Sequence, residues 1–437
     1  MANDIKDQQE ILAKLNIAAL NAMQKEAIAV IEKSANTILL SPTGTGKTLA
    51  FLLPILKNLN PDNPNVQALI VVPTRELAIQ IEQVVRNMGS GFKVNAVYGG
   101  RSKSKDKIEL KHTPAILVGT PGRILDHFDD DRFSKTSIHT LVLDEYDKSL
   151  EIGFESEMRE ILNELSAVSK RILTSATQGV EIPKFVKLDN PVVLNFLAEK
   201  ENPKLAVKTI ISPDKDKLGT LLQLLLYLGN QPGIIFCNFR ESIETVSDFL
   251  FKNKISHTCF SGGMEQKDRE RALIKFRNGT SQVLVSTDLA ARGIDIPELK
   301  YIIHYELPHT AVEFTHRNGR TARVNEKGTA YVLKWKDQLL PEFITKTEPF
   351  EIPKIATENA ELWETLFISG GRKDKISKGD IVGLFIKQGN ITNEQLGAIE
   401  LKQDCAFVAV PLALADGLVN KLNNSRLKKK KVRIYIL

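Results

Sequence analysis

Cysteine is scarce. There are three in 437 residues (Cys237, Cys259 and Cys405), odd in number and far apart. That excludes a disulfide framework and a clustered zinc site, and a reducing cytosol is the expected compartment. Long apolar runs are also missing. The longest, near Leu221–Leu228, is broken by Gln223 and falls short of the ~20 residues that cross a bilayer, so no membrane partner is expected. Met1-Ala2-Asn3-Asp4-Ile5-Lys6 has no basic stretch leading into an apolar one, so no signal peptide is expected. Aromatics are few at 6%, and no Phe, Tyr or Trp precedes Phe51. No repeat of ~20–50 residues and no low-complexity tract is evident.

What is present is ordinary in amount and uneven in placement. Hydrophobic residues at 42% and charged residues at 26% suit a globular chain, and at ~100–200 residues per domain the length allows two to four domains. From Glu364 to Leu437, thirteen Lys+Arg stand against seven Asp+Glu. That excess equals the net +6 of the whole chain, and the remainder carries 46 of each sign. Such a tail is either the footprint of a polyanion partner or a solvated basic terminus.

Short apolar runs alternate with helix-like stretches. Asn36–Ser41, Gln67–Pro73, Ala115–Gly119, Thr140–Glu145 and Arg171–Ser175 have strand length, and the pattern restarts at Gly233–Cys237, Gln282–Thr287, Tyr301–Glu306 and Gly328–Leu333. This βαβ rhythm predicts two α/β domains with buried parallel sheets, separated by a hinge near Glu199–Val207. A second break, Asp337 to about Asn359, holds Pro341, Pro349 and Pro353. Beyond it the pattern reads βαββαβ: strand Leu366–Ser369, helix Gly379–Lys387, strands Ile399–Lys402 and Cys405–Val410, helix Leu412–Leu422, strand Lys430–Ile436. Thr392-Asn393-Glu394-Gln395 fits a capping box opening a short helical turn.

Two motifs carry chemistry on their own. Ser41-Pro42-Thr43-Gly44-Thr45-Gly46-Lys47-Thr48, between a strand and a helix, reads as a P-loop, although Ser41 stands where the general pattern has its first Gly. Its glycines let backbone N–H groups turn toward phosphate oxygens; Lys47 would reach the β- and γ-phosphates of ATP, and Thr48 would ligate Mg²⁺. Asp144-Glu145 follows the apolar strand Leu141-Val142-Leu143. An apolar strand delivering carboxylates to a sheet edge has the Walker B layout, with Asp144 holding Mg²⁺ and Glu145 polarising the attacking water.

Together with these, Asp144-Glu145-Tyr146-Asp147 and an ordered series of further motifs resemble the DEAD-box RNA helicases over residues ~16–335. In the first half these are the stretch ending at Gln24, Pro73-Thr74-Arg75-Glu76-Leu77, Gly99-Gly100, Thr120-Pro121-Gly122-Arg123 and Ser175-Ala176-Thr177. In the second half they are Ile235-Phe236-Cys237-Asn238, Gln266-Lys267-Asp268-Arg269, Ser286-Thr287-Asp288 running on to Asp295, and His316-Arg317-Asn318-Gly319-Arg320-Thr321-Ala322-Arg323. The resemblance implies a fold of α/β class: two tandem RecA-like parallel-sheet domains plus a C-terminal α+β RRM-like domain. The expected division is 1–203, 204–345, a linker 346–363, and 364–437. It also implies ATP contacts at Gln24 and Asp295, coupling through Ser175, Thr177, Asp147 and His316, and RNA contacts at Pro73, Thr74, Arg75, Gly100, Thr120, Arg123 and Thr287. Arg320 and Arg323, three apart on one face, would act as arginine fingers on the phosphates.

Three departures stand out. Tyr146 replaces the family's Ala and needs room for a ring. Asn16 and Leu20 stand where Gly and Pro are usual. The aromatic that usually stacks on adenine is missing, leaving Ile5 or Ile11 for apolar contact. The C-terminal segment resembles the RNA-binding domain of the bacterial DEAD-box protein A (DbpA) branch, whose target class is a hairpin of large-subunit ribosomal RNA. Phe367 and Phe407 stand where bases would stack, though Phe407 reads equally as core, and Lys428, Lys429, Lys430 and Lys431 would meet phosphates. The expected activity is cytoplasmic, Mg²⁺-dependent ATP hydrolysis coupled to unwinding of structured ribosomal RNA or pre-ribosomal particles, with no obligate protein partner inferable. An ATP-gated RNA clamp without turnover, or a DNA helicase on the same core, are the alternatives.

Overall fold

The computed structural model describes the chain except residues 1–4, 152, 178–180, 198–204, 289–295, 297–298, 322–326 and 354–361. It forms two compact units, Met1–Glu201 and Asn202–Ala291 with Ile296–Leu437.

The first unit is a parallel sheet of β1 (Asn36–Leu40), β2 (Ala68–Val71), β3 (Val94–Val97), β4 (Ile116–Gly119), β5 (Thr140–Leu143), β6 (Lys170–Ser175) and β7 (Val192–Asn195). Their spatial order is β3-β4-β2-β5-β6-β1-β7. Strand residues alternate between two cores, Leu39, Ile70, Val118, Val142 and Ile172 on one face and Leu40, Leu69, Leu117, Leu141 and Leu173 on the other. Both faces are therefore covered, as parallel sheets require. The order matters for chemistry because β6 pairs with both β1 and β5. The carboxyl ends that bear the P-loop, Asp144 and Ser175 are thus neighbours. Helices α1 (Gln8–Lys14), α2 (Ala22–Lys33), α3 (Lys47–Asn58), α4 (Arg75–Met88), α5 (Lys103–Leu110), α6 (Pro121–Asp129), α7 (Tyr146–Glu151) and α8 (Glu155–Glu164) complete the described part of this unit.

The second unit repeats the plan with β8 (Leu205–Ser212), β9 (Gly233–Cys237), β10 (His257–Phe260), β11 (Val283–Thr287), β12 (Tyr301–His304), β13 (Gly328–Trp335) and the short β14 (Glu348–Pro349), ordered β10-β11-β9-β12-β13-β8-β14. Its described helices are α9 (Leu218–Leu228), α10 (Arg240–Lys252), α11 (Gln266–Arg277) and α12 (Ala311–Asn318). Of the break expected at Glu199–Val207, residues 199–204 lie outside the described residues, and from Leu205 the chain is already strand β8. Its eight residues pair along the whole of β13, which draws the start of the strand into the sheet.

The same unit carries an antiparallel sheet of β15 (Trp363–Ile368), β16 (Ile399–Leu401), β17 (Ala406–Pro411) and β20 (Ile434–Ile436), ordered β16-β17-β15-β20, with α13 (Lys378–Gly383) and α14 (Leu412–Leu422) on one face. Leu366, Ile368, Val408, Val410 and Ile434 pack there against Ile381, Leu418 and Leu422. The expected strand Lys430–Ile436 is interrupted. Lys428 adopts φ +54° and turns the chain, so β18 (Arg426–Leu427) and β19 (Lys430–Lys431) form a separate hairpin before β20 joins the sheet. The expected helix Gly379–Lys387 ends at Gly383 and runs on as a wider π turn, Leu384–Gly389. The Gln395 side chain accepts from the Thr392 N–H at 3.0 Å, but the segment makes a tight turn and no helix.

Candidate functional site

The P-loop is shaped by its own left-handed residues and by α2. Gly44 and Gly46 lie at φ +81° and +87°, where a side chain would be strained. Asn21 caps α2 by accepting from the Gln24 N–H at 2.8 Å, while the Gln24 side chain accepts from the Asn21 N–H at 3.0 Å. This reciprocal cap also grips the loop: Asn21 Nδ2 donates to the Thr45 carbonyl at 3.0 Å and Gln24 Nε2 to that of Gly46 at 3.3 Å. Within the loop Ser41 Oγ and Thr45 Oγ1 lie 2.7 Å apart, and Lys47 Nζ donates to the Pro42 carbonyl at 3.1 Å and to that of Ser41. Ser41 is fully buried, and its hydroxyl is satisfied by that of Thr45, so a serine is accommodated where the general pattern has Gly. Thr43 and Thr48 complete the loop and the first turn of α3.

Asp144 is buried, and burial followed by the charge of Glu145 pushes its carboxyl group up to about 6. Thr174 Oγ1 donates to Asp144 Oδ1 and in turn accepts the Glu145 N–H at 3.3 Å. Thr174 thus orients both carboxylate residues. Sequence reading placed it inside a strand and gave it no role, since only the β5–β6 pairing reveals it. Glu145 adopts φ +49°, uncommon for a non-glycine residue, at the turn between β5 and α7. Tyr146 is accommodated in the core beside β1 and β5, and burial pushes its hydroxyl up to about 12. Ser175, Thr177 and Asp147 lie together: Thr177 Oγ1 donates to Asp147 Oδ2 at 2.7 Å, and the Thr177 N–H donates to Ser175 Oγ at 2.9 Å. Ile11 is buried in the core and has no surface for a base; Ile5 is exposed.

The residues present fit a triphosphate and a divalent cation. The positive φ of Gly44 and Gly46 is the kind of turn that lets loop amides face an anion, and Lys47, folded onto the loop carbonyls, is a counter-charge at hand. A buried carboxyl group whose charged form is disfavoured is one that a neighbouring cation would stabilise.

On the neighbouring strand ends, Thr74 caps α4 by accepting from the Leu77 N–H at 3.3 Å, next to Pro73. The Arg75 guanidinium lies over Gly99 and Gly100, where a Cβ on Gly100 would come within 2.4 Å of Nη1. Arg123 behaves differently from Arg75. It is buried, donates through Nε to the Tyr98 carbonyl at 3.1 Å and through Nη2 to that of Arg101, and lies 3.5 Å from Asp106. Its donors hold the Gly99-Gly100 loop from beneath. Thr120 precedes α6 with no capping bond from its side chain.

In the second unit, Arg317 organises the strand ends. It pairs with both oxygens of Asp288 (Nε to Oδ1 2.8 Å) and donates to the Glu306 carbonyl and to Asn238 Oδ1, each at 2.7 Å. Sequence reading quoted Arg317 only as part of a motif; its burial on a helix gave no signal. His316 and Arg320 are buried beside it, and Thr287 ends β11 half-buried. Arg323 and Asp295 lie outside the described residues. Ser212 closes β8 and Pro213 and Lys217 follow it, much as Ser41-Pro42 and Lys47 follow β1. Lys217 instead ties strand ends together, donating to the carbonyls of Tyr305 and Leu333, and burial pushes its amine down to about 8.

On the antiparallel sheet, Phe367 stacks on Tyr435 (ring centroids 4.7 Å) and meets Phe407 edge-on at 5.6 Å. Phe407 is buried, but beside Phe367 on the face turned away from the Leu366–Val408 core, and Tyr435 is an exposed aromatic on the same patch. The four lysines divide. Lys428 pairs with Asp380 at 3.0 Å and Lys430 with Asp374 at 2.7 Å, while Lys429 and Lys431 are exposed.

Residues 21–185 match the DEAD/DEAH box helicase family, 216–325 the helicase conserved C-terminal domain and 365–436 the DbpA RNA binding domain. The chain is 31% identical to the ATP-dependent RNA helicase DbpA of Escherichia coli, over 98% of this chain and 96% of that one. It is 30% identical to the ATP-dependent RNA helicase DbpA of Bacillus subtilis, over 94% and 93%. Among solved structures, S. cerevisiae Dbp5 bound to RNA and ADP BeF3 aligns with a TM-score of 0.67 at 26% identity, covering 76% of this chain and 88% of that one. Mss116p bound to ssRNA and AMP-PNP aligns with a TM-score of 0.68 at 26% identity, covering 79% and 78%.

Proposed function

Because the chain belongs to the DEAD-box family of ATP-dependent RNA helicases, we propose that it couples Mg²⁺-dependent ATP hydrolysis to local opening of structured ribosomal RNA during large-subunit assembly in the cytoplasm. Its functional division is 1–203 for nucleotide capture, 204–345 for completing the site and 364–437 for RNA targeting; residues 346–363 join the last two but give β14 to the second sheet and Trp363 to β15, so they are not a pure linker. The observation that carries the reading is the junction of three strand ends, with the P-loop after β1, Asp144-Glu145 after β5 and Thr174-Ser175 closing β6.

The backbone of Ser41 to Thr48 and the amine of Lys47 bind the phosphates, and Gln24 fixes the loop against α2. Thr48 and Asp144 hold Mg²⁺, whose charge offsets that of the phosphates. Glu145 orients water and accepts its proton. Arg320 and Arg323, with Asp295, complete the site when ATP and RNA are both bound, and Asp147, Ser175, Thr177 and His316 transmit that closure. Arg75, Gly100, Thr74, Pro73, Thr120 and Thr287 contact the RNA backbone, and Arg123 acts beneath them. A basic module matching an RNA-binding domain supports a structured RNA target. Phosphate release measured with large-subunit ribosomal RNA hairpins, homopolymers and DNA tests the reading. A hairpin should stimulate at least ~10-fold more than a homopolymer, and equal stimulation by all three would overturn the ribosomal assignment.

A further inference from the structure

The second unit's parallel sheet repeats the first strand for strand, β3-β4-β2-β5-β6-β1-β7 against β10-β11-β9-β12-β13-β8-β14, so β9 stands where β2 does and β10 where β3 does. The segments after these strands correspond as well. After β2, Thr74 caps α4, and the Arg75 guanidinium lies over Gly99 and Gly100, which follow β3. After β9, Phe239 holds the cap position of α10, and the Arg240 guanidinium lies over Gly263, which follows β10; a Cβ there would come within 2.8 Å of Nη1. The backbones at the two caps nearly coincide, φ −131° and ψ 153° at Thr74 against φ −122° and ψ 157° at Phe239. The side chain breaks the correspondence. Thr74 accepts from the Leu77 N–H, whereas Phe239 has no atom that can cap and is 57% exposed.

Neither feature helps folding. A phenylalanine at a cap leaves a first-turn N–H to water, and an exposed ring leaves apolar surface wet. Yet the ring is not isolated. His309 meets it edge-on, with centroids 6.3 Å apart. His309 is fixed in turn. Arg317 can only donate, so Asn238 turns Oδ1 toward it at 2.7 Å and Nδ2 toward His309, donating to its Nε2 at 3.1 Å and to the Leu307 carbonyl at 3.0 Å. A buried guanidinium therefore positions, through one amide, a pair of rings at the surface. Thr287 is the sheet partner of Cys237, two residues before Phe239. Arg240 pairs with Glu244 at 3.1 Å where both are exposed, a contact that a phosphate displaces at little cost.

We propose that Phe239 is a stacking platform for one unpaired base of the RNA strand, with His309 at its edge and Arg240 on the adjoining phosphate. The first unit has a hydroxyl at this place and no ring to offer a base; the second adds a base contact to a backbone-binding edge. The ring stands among Arg240, Asn238, His309 and Gly263 rather than among other apolar side chains, surroundings that suit a base with its phosphate. Every base has a flat face, so the site selects unpaired RNA over paired RNA, not one sequence over another. A base held there has left its partner, which favours the opened duplex. The site rests on the reading of this chain as an RNA helicase.

The test uses the full chain, a non-hydrolysable ATP analogue and single-stranded RNAs of about ten nucleotides, one intact and the others with a single abasic site moved along the strand; binding is read by fluorescence anisotropy. Phe239→Thr gives α10 the cap that α4 has, so its unfolding temperature should be no lower than that of the wild type. It should nevertheless bind the intact RNA ~10-fold more weakly. One abasic position should cost the wild type ~10-fold and Phe239→Thr less than ~2-fold, because the base and the ring are lost as a pair. Phe239→Trp should keep both the affinity and the abasic penalty. Wild-type affinity in Phe239→Thr, or the same abasic profile in both proteins, would overturn the stacking site and leave the helicase reading standing. Failure of the wild type to bind any of these RNAs would sink the helicase reading and the site with it.

Discussion

Asp144 and Glu145 are adjacent, yet their surroundings differ. Asp144 is sealed under Thr174, whereas Glu145 sits half-buried on a left-handed turn. Glu145→Gln should therefore stop hydrolysis while leaving ATP binding and closure, so that the protein stays locked on RNA with ATP. Filter retention of labelled RNA through a chase checks this, and ordinary turnover would remove Glu145 from its role. Asp144 makes a prediction of opposite sign without nucleotide. Its folded value, about 6, lies above the ordinary carboxyl value of 3.8. The protonated form thus favours the fold, an advantage complete below about 4 and lost as pH rises through 6. Asp144→Asn keeps an acceptor for Thr174 and removes the charge. It should stabilise the nucleotide-free protein at pH 7.5 by up to roughly 3 kcal/mol, from two pKa units, and by about half as much at pH 5, read as the rise in unfolding temperature. A benefit independent of pH would contradict the origin in buried charge.

At the level of elements, legibility followed strand burial. The nine runs expected as parallel strands are all strands, because central strands covered on both faces are almost wholly apolar. β3, β7, β8, β10 and β14 went unnoticed: β3 is four residues interrupted by Asn95, β7 is an edge strand with Val192 and Val193 exposed, β8 and β10 are mostly half-buried or exposed, and β14 is two residues long. The P-loop and the Asp144 turn were legible because a contiguous string dictates each. Thr174, Asn21 and Arg317 were not, since their roles come from pairings between segments remote in sequence. Asn21 offers a test. Asn21→Ala should remove a helix cap worth about 1 kcal/mol and also free the P-loop at Thr45. The KM for ATP should rise several-fold with RNA affinity unchanged in the absence of nucleotide; an unchanged KM would mean that α2 does not hold the loop.

Across the whole molecule, charge is segregated. The net +6 resides in Glu364–Leu437, and the rest balances to zero. Within that segment, Lys428 and Lys430 pair with Asp380 and Asp374; hydrogen bonds from Ser377, then Lys428, hold Asp380 down at about 2, and Lys430 holds Asp374 below its usual range. That leaves Arg426, Lys429, Lys431 and Arg433 exposed. Each phosphate neutralised releases counterion and steepens the salt dependence of RNA binding by ~0.7–0.9 in logarithmic slope. Four cations therefore set a ceiling of roughly 3 on what this hairpin adds. Deleting Glu364–Leu437 should flatten the slope by up to that amount and abolish the preference for structured ribosomal RNA over a homopolymer, while ATPase at saturating homopolymer persists. Because the deletion also uncovers Asn278 and Thr280, Lys429→Glu with Lys431→Glu is the companion variant. It leaves the contacts of Asn278 and Thr280 with Thr365 intact and should flatten the slope by about half as much. If both proteins keep the wild-type slope and preference, attraction to RNA resides in the neutral two-domain core and the basic hairpin is only a solvated surface.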